Sequence, residues 1–246
     1  MSLSPSGYEV LHGYADALPL AAEVDACLRD AFASDAMISG SKGNEFRYVP
    51  TMCERTPYAL ALLLGLAVVA SDKLRAPVLP GRAKATLYRG STKLHRDSDL
   101  ALASVGFAFY LEPLDADTGA LRVVPGSHLD ANVDEARAIA IPTEPGDAIV
   151  FDERLYHASS GGSLRRQWRV DFVADLPDTD DLLREWYARQ FTPGWDGGYD
   201  VRRYPSFGPH WRSLDAHWNA RLEALGAYAA AEAEESAVIR RRASST

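Results

Sequence analysis

The chain has 246 residues, 47% of them hydrophobic and 24% charged, with a formal net charge of −8. This is the composition of a globular protein long enough to bury a sizeable core within one domain. No basic stripe interleaved with aromatic residues runs along it, which argues against nucleic acid as a partner.

The two cysteines, Cys27 and Cys53, lack C-x-x-C spacing and read as reduced thiols of a cytoplasmic protein. The chain does not open with the basic stretch and apolar region of a secretory signal. The longest apolar run, 59–70, is shorter than the roughly 20 residues that cross a bilayer. It reads as a buried helix, so no membrane partner is expected. The abundance of Ala and the excess of Arg over Lys fit a bacterial chain of high-GC origin.

In chain order, apolar spacing at Leu20, Val24, Cys27, Leu28 and Phe32 predicts a helix over 19–32. The Gly-rich, polar stretch 39–51 reads as a loop. A second helix is predicted over 57–74, opened by Pro57 at a favourable first-turn position. Beyond 77–81 the texture changes to short strands separated by turn clusters. They are predicted at 83–89, 101–111, 121–124, 138–141, 148–151 and 167–174. Turn residues cluster at 115–119 and 143–147. Helices return at 180–190 and 214–235, and the Gly-, Pro- and aromatic-rich segment 191–212 between them is long enough to form a lid. Helices followed by many short strands point to a mainly β fold with α, a double-stranded β-helix (jelly roll, cupin-like) braced by N- and C-terminal helices. The whole of 1–246 is expected to form one domain, with its catalytic core over about 83–175.

Three residues within that core carry the chemistry. His95 and Asp97 form an H-x-D pair after the strand 83–89, and His157 follows the predicted buried strand 148–151. Two imidazoles and one carboxylate can take one face of an octahedral metal and leave other positions open, the ligand set of non-haem Fe(II) oxygenases. A rigid sheet aims side chains well from its strand ends. His128, His12, His210 and His217 are read as structural or solvated histidines.

Residues 118–128, with the run Gly119-Ala-Leu-Arg-Val-Val-Pro-Gly-Ser-His128, resemble a segment of the phytanoyl-CoA dioxygenase (PhyH) family. Pro145-Gly146-Asp147 through His157-Ala158-Ser159 resembles that family's distal-histidine block. The resemblance covers roughly 83–175. It implies catalytic and metal-ligand roles for His95, Asp97 and His157, with Fe(II), 2-oxoglutarate and O2 as cofactor and co-substrates. The presence of Asp97 then implies an oxygenase, since halogenating relatives replace this carboxylate with a small residue. The family's co-substrate arginine falls at Arg165 or Arg166. Strand parity puts Arg165, Gln167, Arg169 and Asp171 on the barrel-lining face and Trp168, Val170 and Phe172 on the other. Parity favours Arg165, while spacing from His157 favours Arg166, so both stay open. Ser159 matches a family serine that binds the co-substrate. Tyr88, Thr86 and Lys84 share one strand face and are placed at the same end.

Trp195, Tyr199, Arg169 and Phe109 are the candidate substrate contacts. The sequence names no substrate. An aromatic, polar lid on a bacterial chain points to a small molecule, a natural product or antibiotic precursor with sugar-like hydroxyls, oxidised by hydroxylation or cyclisation. Two other readings remain: a jelly-roll metal enzyme that does not use 2-oxoglutarate, and a non-catalytic ligand-binding relative. The oligomeric state is open.

Overall fold

The computed structural model describes residues 3–33, 37–39, 44–130, 133–159, 161, 163–191 and 198–244, apart from the side chains of 241–244. Its strands are β1 (Tyr8–Leu11), β2 (Ile38–Ser39), β3 (Glu45–Pro50), β4 (Val78–Pro80), β5 (Lys84–Arg89), β6 (Ser104–Tyr110), β7 (Leu121–Val123), β8 (Ile139–Ile141), β9 (Ala148–Asp152), β10 (His157–Ser159) and β11 (Arg165–Ala174). Its helices are α1 (Ala17–Asp30), α2 (Pro57–Leu74), α3 (Asp180–Gln190), α4 (Pro209–Arg212), α5 (Ala216–Ala224) and α6 (Ala227–Ser244).

The strands form two antiparallel sheets. The larger runs β1-β9-β6-β11-β5-β3-β2, with β4 added to the end of β11, and the smaller runs β10-β7-β8. Alternation along β11 decides what lies between them. Trp168 and Phe172 turn toward Phe109 and Phe107 on the helix-covered face of the larger sheet. Gln167, Arg169 and Asp171 turn the other way, into the space shared with the smaller sheet. This is the expected jelly roll, with a mainly apolar layer on one side of β11 and a polar cavity on the other.

Helices α1 and α2 cover the apolar face. The buried positions of α2, Leu60, Leu63, Leu66 and Ala70, recur at helical spacing and make one stripe. The helix is long and apolar enough to cross a membrane by length and composition. Here that stripe packs on the sheet, while Leu64 and Val68 on its other side are exposed. Glu23 of α1 locks the pair, accepting from the Tyr58 and Ala59 amides at 2.9 and 2.8 Å. A carboxylate on those first-turn donors satisfies amides that have no partner within the helix and suits the positive end of its dipole.

Three expectations are corrected. The stretch 39–51 is not all loop: 45–50 form β3, because Phe46 and Tyr48 face the cavity while Arg47 and Val49 turn away from it. The helix over 214–235 is two helices, broken where Gly226 adopts φ +75°, a left-handed conformation that disfavours side chains with a Cβ. The described part of the 191–212 lid, 198–212, is packed rather than free. Tyr199, Tyr204, Phe207 and Trp211 are buried in the core, with Phe207 and Trp211 edge-to-face against Tyr228 of α6. Trp195 lies outside the described residues. Strand β10 had no signal of its own, since three residues carry no periodicity.

One buried ion pair ties the C-terminal helices to the barrel. Arg82 Nη1 donates to Glu234 Oε2 of α6 at 2.6 Å, and Arg82 Nη2 donates to the Gln190 carbonyl of α3 at 2.6 Å. Glu234 is fully buried. Removing it leaves Arg82 uncompensated, so Glu234→Ala is expected to lower unfolding stability by about 3–5 kcal/mol in urea titration. Asp181→Ala, which breaks the exposed pair with Arg184, should change it by less than about 1 kcal/mol.

Candidate metal centre

Two strand-end segments from different parts of the chain are stitched together at the centre. The His95 amide donates to the His157 carbonyl at 2.9 Å, and the His157 amide donates back to the His95 carbonyl at 2.8 Å. The reciprocal pair is an isolated antiparallel bridge. It sets the two residues directly opposite, with ring centroids 4.4 Å apart. Asp97 is fixed from below, since its own amide and that of Ser98 both donate to the Glu153 carbonyl, at 2.9 and 3.1 Å.

Ring orientation is set by the backbone as well. His95 Nδ1 donates to the Lys93 carbonyl at 2.7 Å, and His157 Nδ1 donates to the Leu155 carbonyl at 2.9 Å. A carbonyl can only accept, so each Nδ1 carries a proton and Nε2 is the ring atom left to face the centre. Both Nε2 atoms face Asp97, at 3.5 Å for His95 and 3.0 Å for His157. One ligand atom from each of the three residues falls within 4.8 Å of the other two. Two imidazoles held by carbonyls and one carboxylate are the donor set that a divalent first-row metal accepts.

Charge is arranged around the carboxylate. Arg169 Nη2 lies 2.8 Å from Asp97 Oδ2 and 2.8 Å from Asp171 Oδ1. Burial would raise the Asp97 carboxyl, but Arg169 and His157 outweigh it and hold the group well below the usual carboxylate range. The anion is thus in place before any metal arrives. Gly106 makes this packing possible: a Cβ there would meet Asp171 Oδ1 at 2.8 Å and Arg169 Nη2 at 3.0 Å. Burial, aided by Asp171, pushes the nearby Glu153 carboxyl up to about 8, and its Oε2 accepts from Trp186 Nε1 at 3.0 Å.

The three residues open onto a cavity of about 300 Å³ between the sheets. At one end Tyr88 and Ser159 share a hydrogen bond of 3.1 Å, and Tyr88 donates to Tyr110 at 3.2 Å. Thr86 lies on the same wall. Behind them the Arg165 guanidinium stacks over the Tyr88 ring at 4.2 Å and is only 1% exposed. Its Nη atoms donate to the Ser163 and Gly90 carbonyls at 3.0 and 2.9 Å, while Nε is buried without a partner. Among the described residues no carboxylate pairs with it. A buried cation without a counter-ion is costly, which marks this end as one that an anion would complete.

The other predicted residues fall elsewhere. Arg166 turns to the helix side and pairs with Glu112 at 2.6 Å and Asp25 at 2.7 Å, so it is not at the cavity. Phe109 packs on Trp168 and Tyr14 on the apolar face, not against the cavity, because its parity matches Phe107 rather than Tyr110. Tyr199 is buried beside Tyr48, behind the wall rather than on it. Arg169 does line the cavity, as a partner of Asp97. Tyr110 was missed although parity on β6 marks it. Glu153, Trp186 and Gln190 were missed because they reach the cavity only through tertiary folding.

Residues 76–166 match the model of the phytanoyl-CoA dioxygenase (PhyH) family. An uncharacterized protein of Mycobacterium tuberculosis is 38% identical across 37% of this chain and 43% of its own length. The dioxygenase peniF of Penicillium patulum is 37% identical across 22% of this chain and 18% of its own. The chain therefore spans less than half the length of these curated relatives. Among solved structures, AviO1 from Streptomyces viridochromogenes aligns with a TM-score of 0.53 at 21% identity, over 69% of this chain and 90% of that one. The epimerase SnoN from nogalamycin biosynthesis, in complex with Fe3+, alpha ketoglutarate and nogalamycin RO, aligns at 0.56 and 18%, over 71% and 87%. EctD from S. alaskensis with bound Fe aligns at 0.54 and 22%, over 70% and 74%. At these identities the likeness is one of fold, and that fold is the double-stranded β-helix.

His157→Ala removes one of the three donors. Its metal affinity, measured by calorimetry with Fe(II) under anaerobic conditions, is expected to fall by more than the roughly 10–100-fold that loss of an outer partner costs. His128 packs against Gly7, whose added Cβ would sit 2.4 Å from its Nδ1. His128→Ala should therefore leave metal affinity within about two-fold, since it removes no ligand.

Proposed function

We propose that this chain, whose residues 76–166 match the PhyH family model, is an Fe(II)/2-oxoglutarate-dependent oxygenase. It acts on an unactivated C–H bond of a small molecule, by hydroxylation or oxidative cyclisation, in the tailoring of a bacterial natural product. The observation that carries the reading is the pairing of two features across one cavity: a His-Asp-His donor set and, behind the Tyr88–Ser159 wall, a buried arginine with no carboxylate partner among the described residues. A co-substrate with a terminal carboxylate answers both. The epimerase from nogalamycin biosynthesis among the structural neighbours supports a natural-product substrate.

In this reading His95 and His157 present Nε2 to the metal and Asp97 supplies the negative charge that favours a divalent ion. Arg169 positions Asp97, sharing its charge with Asp171. Arg165 provides a permanent positive charge for the distal carboxylate of 2-oxoglutarate, and the Tyr88 and Ser159 hydroxyls provide its hydrogen bonds. Thr86 and Tyr110 complete that wall. Bound Fe(II), with 2-oxoglutarate and O2, supplies the oxidant. Phe46 beside Tyr88, Tyr48 beside Thr86, and Trp186 give the cavity aromatic walls that exclude water from the reacting bond. The polar groups among them, Gln190 and Asn44, suit a hydroxyl-rich, sugar-like substrate. Cys27 and Cys53, both buried and free, fit a cytoplasmic enzyme.

The two arginines make a paired test. Arg165→Gln deletes the charge at the co-substrate end and is expected to weaken 2-oxoglutarate binding by about 10–100-fold, the size of a lost charge-assisted contact. Arg166→Gln breaks only the links to Glu112 and Asp25, so the affinity should stay within about three-fold. Calorimetric titration of 2-oxoglutarate into the Mn(II)-loaded protein measures both. A larger loss in the Arg166 variant would remove Arg165 from its role.

A further inference from the structure

Four cations line the cavity: Arg82, Lys84, Arg169 and Arg189. Three of them are already committed. Arg82 is held by Glu234 and the Gln190 carbonyl. Arg169 is held by Asp97 and Asp171. Arg189 is bound at the rim to Asp99 and to Glu185. The Lys84 ammonium alone, among the described residues, has no hydrogen bond or ion pair. The negative charges acting on it are Asp171 and, more weakly, Asp97; Asp171 Oδ1 already accepts from Arg169 Nε and Nη2 at 2.9 and 2.8 Å.

Register fixes where this free cation stands. Lys84, Thr86 and Tyr88 alternate onto the cavity face of β5. Tyr88 pairs with Arg165 on β11, whereas Lys84 pairs with Arg169. Four residues of strand separate Lys84 from Tyr88 by roughly 13 Å. Lys84 is therefore not at the co-substrate end, where its shared strand face with Tyr88 had placed it. It stands toward Arg169, Asp171 and Arg82, whose charges act on it, in the cavity that Trp186 and Gln190 also line.

We propose that Lys84 anchors a carboxylate of the substrate, so that the molecules oxidised here are organic acids. The assignment rests on the oxygenase reading above. Charge accounting supports a carboxylate over a phosphate. One ammonium matches a single negative charge, and among the described residues no second uncommitted cation lines the cavity to take a dianion. Burial, with Arg169 and Arg82 nearby, lowers the ammonium's pKa despite Asp171 and Asp97, and an anionic ligand would offset that shift. The anchor also gives orientation. A substrate tethered by its acid group at Lys84 extends toward the Asp97 side of the metal centre, with Trp186 and Tyr48 as walls, which puts a carbon remote from the carboxylate nearest the ligands.

The test uses full-length protein loaded anaerobically with Fe(II) and saturating 2-oxoglutarate, so that the Arg165 end is filled. Benzoate, 4-hydroxybenzoate, hexanoate and gluconate are titrated by calorimetry against their amides, with phenyl phosphate as the dianion. At least one acid is expected to bind about ten-fold or more tighter than its amide. Lys84→Gln should bring that ratio to near one, and Lys84→Arg should restore most of it. The assignment is overturned if no acid outperforms its amide, if the preference survives in Lys84→Gln, or if phenyl phosphate binds tightest. The 2-oxoglutarate affinity of the same samples separates the two claims. Its absence in the unsubstituted protein overturns the oxygenase reading, while its loss in Lys84→Gln alone returns Lys84 to the co-substrate end and overturns the anchor.

Discussion

Two backbone hydrogen bonds between His95 and His157 hold the centre of this protein together. The residues are far apart in sequence, His95 in the turn segment after β5 and His157 at the start of β10. Their mutual amide-to-carbonyl bonds, 2.9 and 2.8 Å long, bring the two ring systems to one point without any side-chain contact having to do so. The side chains are then free to turn their Nε2 atoms to a metal, because Nδ1 of each is occupied by a carbonyl two residues before it. Precision of this kind is what a catalytic constellation requires, and a backbone ladder supplies it more rigidly than loop contacts could.

Around that pair the charges follow a simple division. Negative charge is concentrated at the centre, on Asp97 and Asp171, and Arg169 stabilises both. Uncompensated positive charge is left at the two ends of the cavity, on Arg165 and on Lys84. On the proposed reading, a metal at the middle is flanked by two anionic molecules, one toward Arg165 and one toward Lys84. Each end would then gain the counter-ion that the protein itself withholds. Gly106 is the small price in side-chain volume that lets the central arginine sit close under the carboxylate.

The sequence carried the metal ligands and most of the barrel because those features are local. An H-x-D after a strand, a histidine after a buried strand, and a period-two pattern along β11 need no tertiary information. Parity alone separated Gln167, Arg169 and Asp171 from Trp168 and Phe172. What could not be read is equally physical. Residues 45–50 pair with β5 although the surrounding composition is that of a loop, because Phe46 and Tyr48 find a cavity to line. The aromatics at 199–211 looked like a lid, yet they bury themselves against α6, where Arg82 and Glu234 also meet. Arg166 and Arg165 differ by one position and therefore point to opposite faces, and the sequence offered evidence for both. Spacing counts residues, whereas the strand pairing Arg165↔Tyr88 fixes direction.

The central claim is that the His-Asp-His donors and the Arg165 end bind a metal and 2-oxoglutarate together. Anaerobic titration of the protein with Fe(II) and then 2-oxoglutarate, monitored in the visible range, tests it most directly. The account predicts a weak charge-transfer band that appears only when both are present and is lost in His157→Ala. A protein that binds Fe(II) but develops no band on adding 2-oxoglutarate would contradict it.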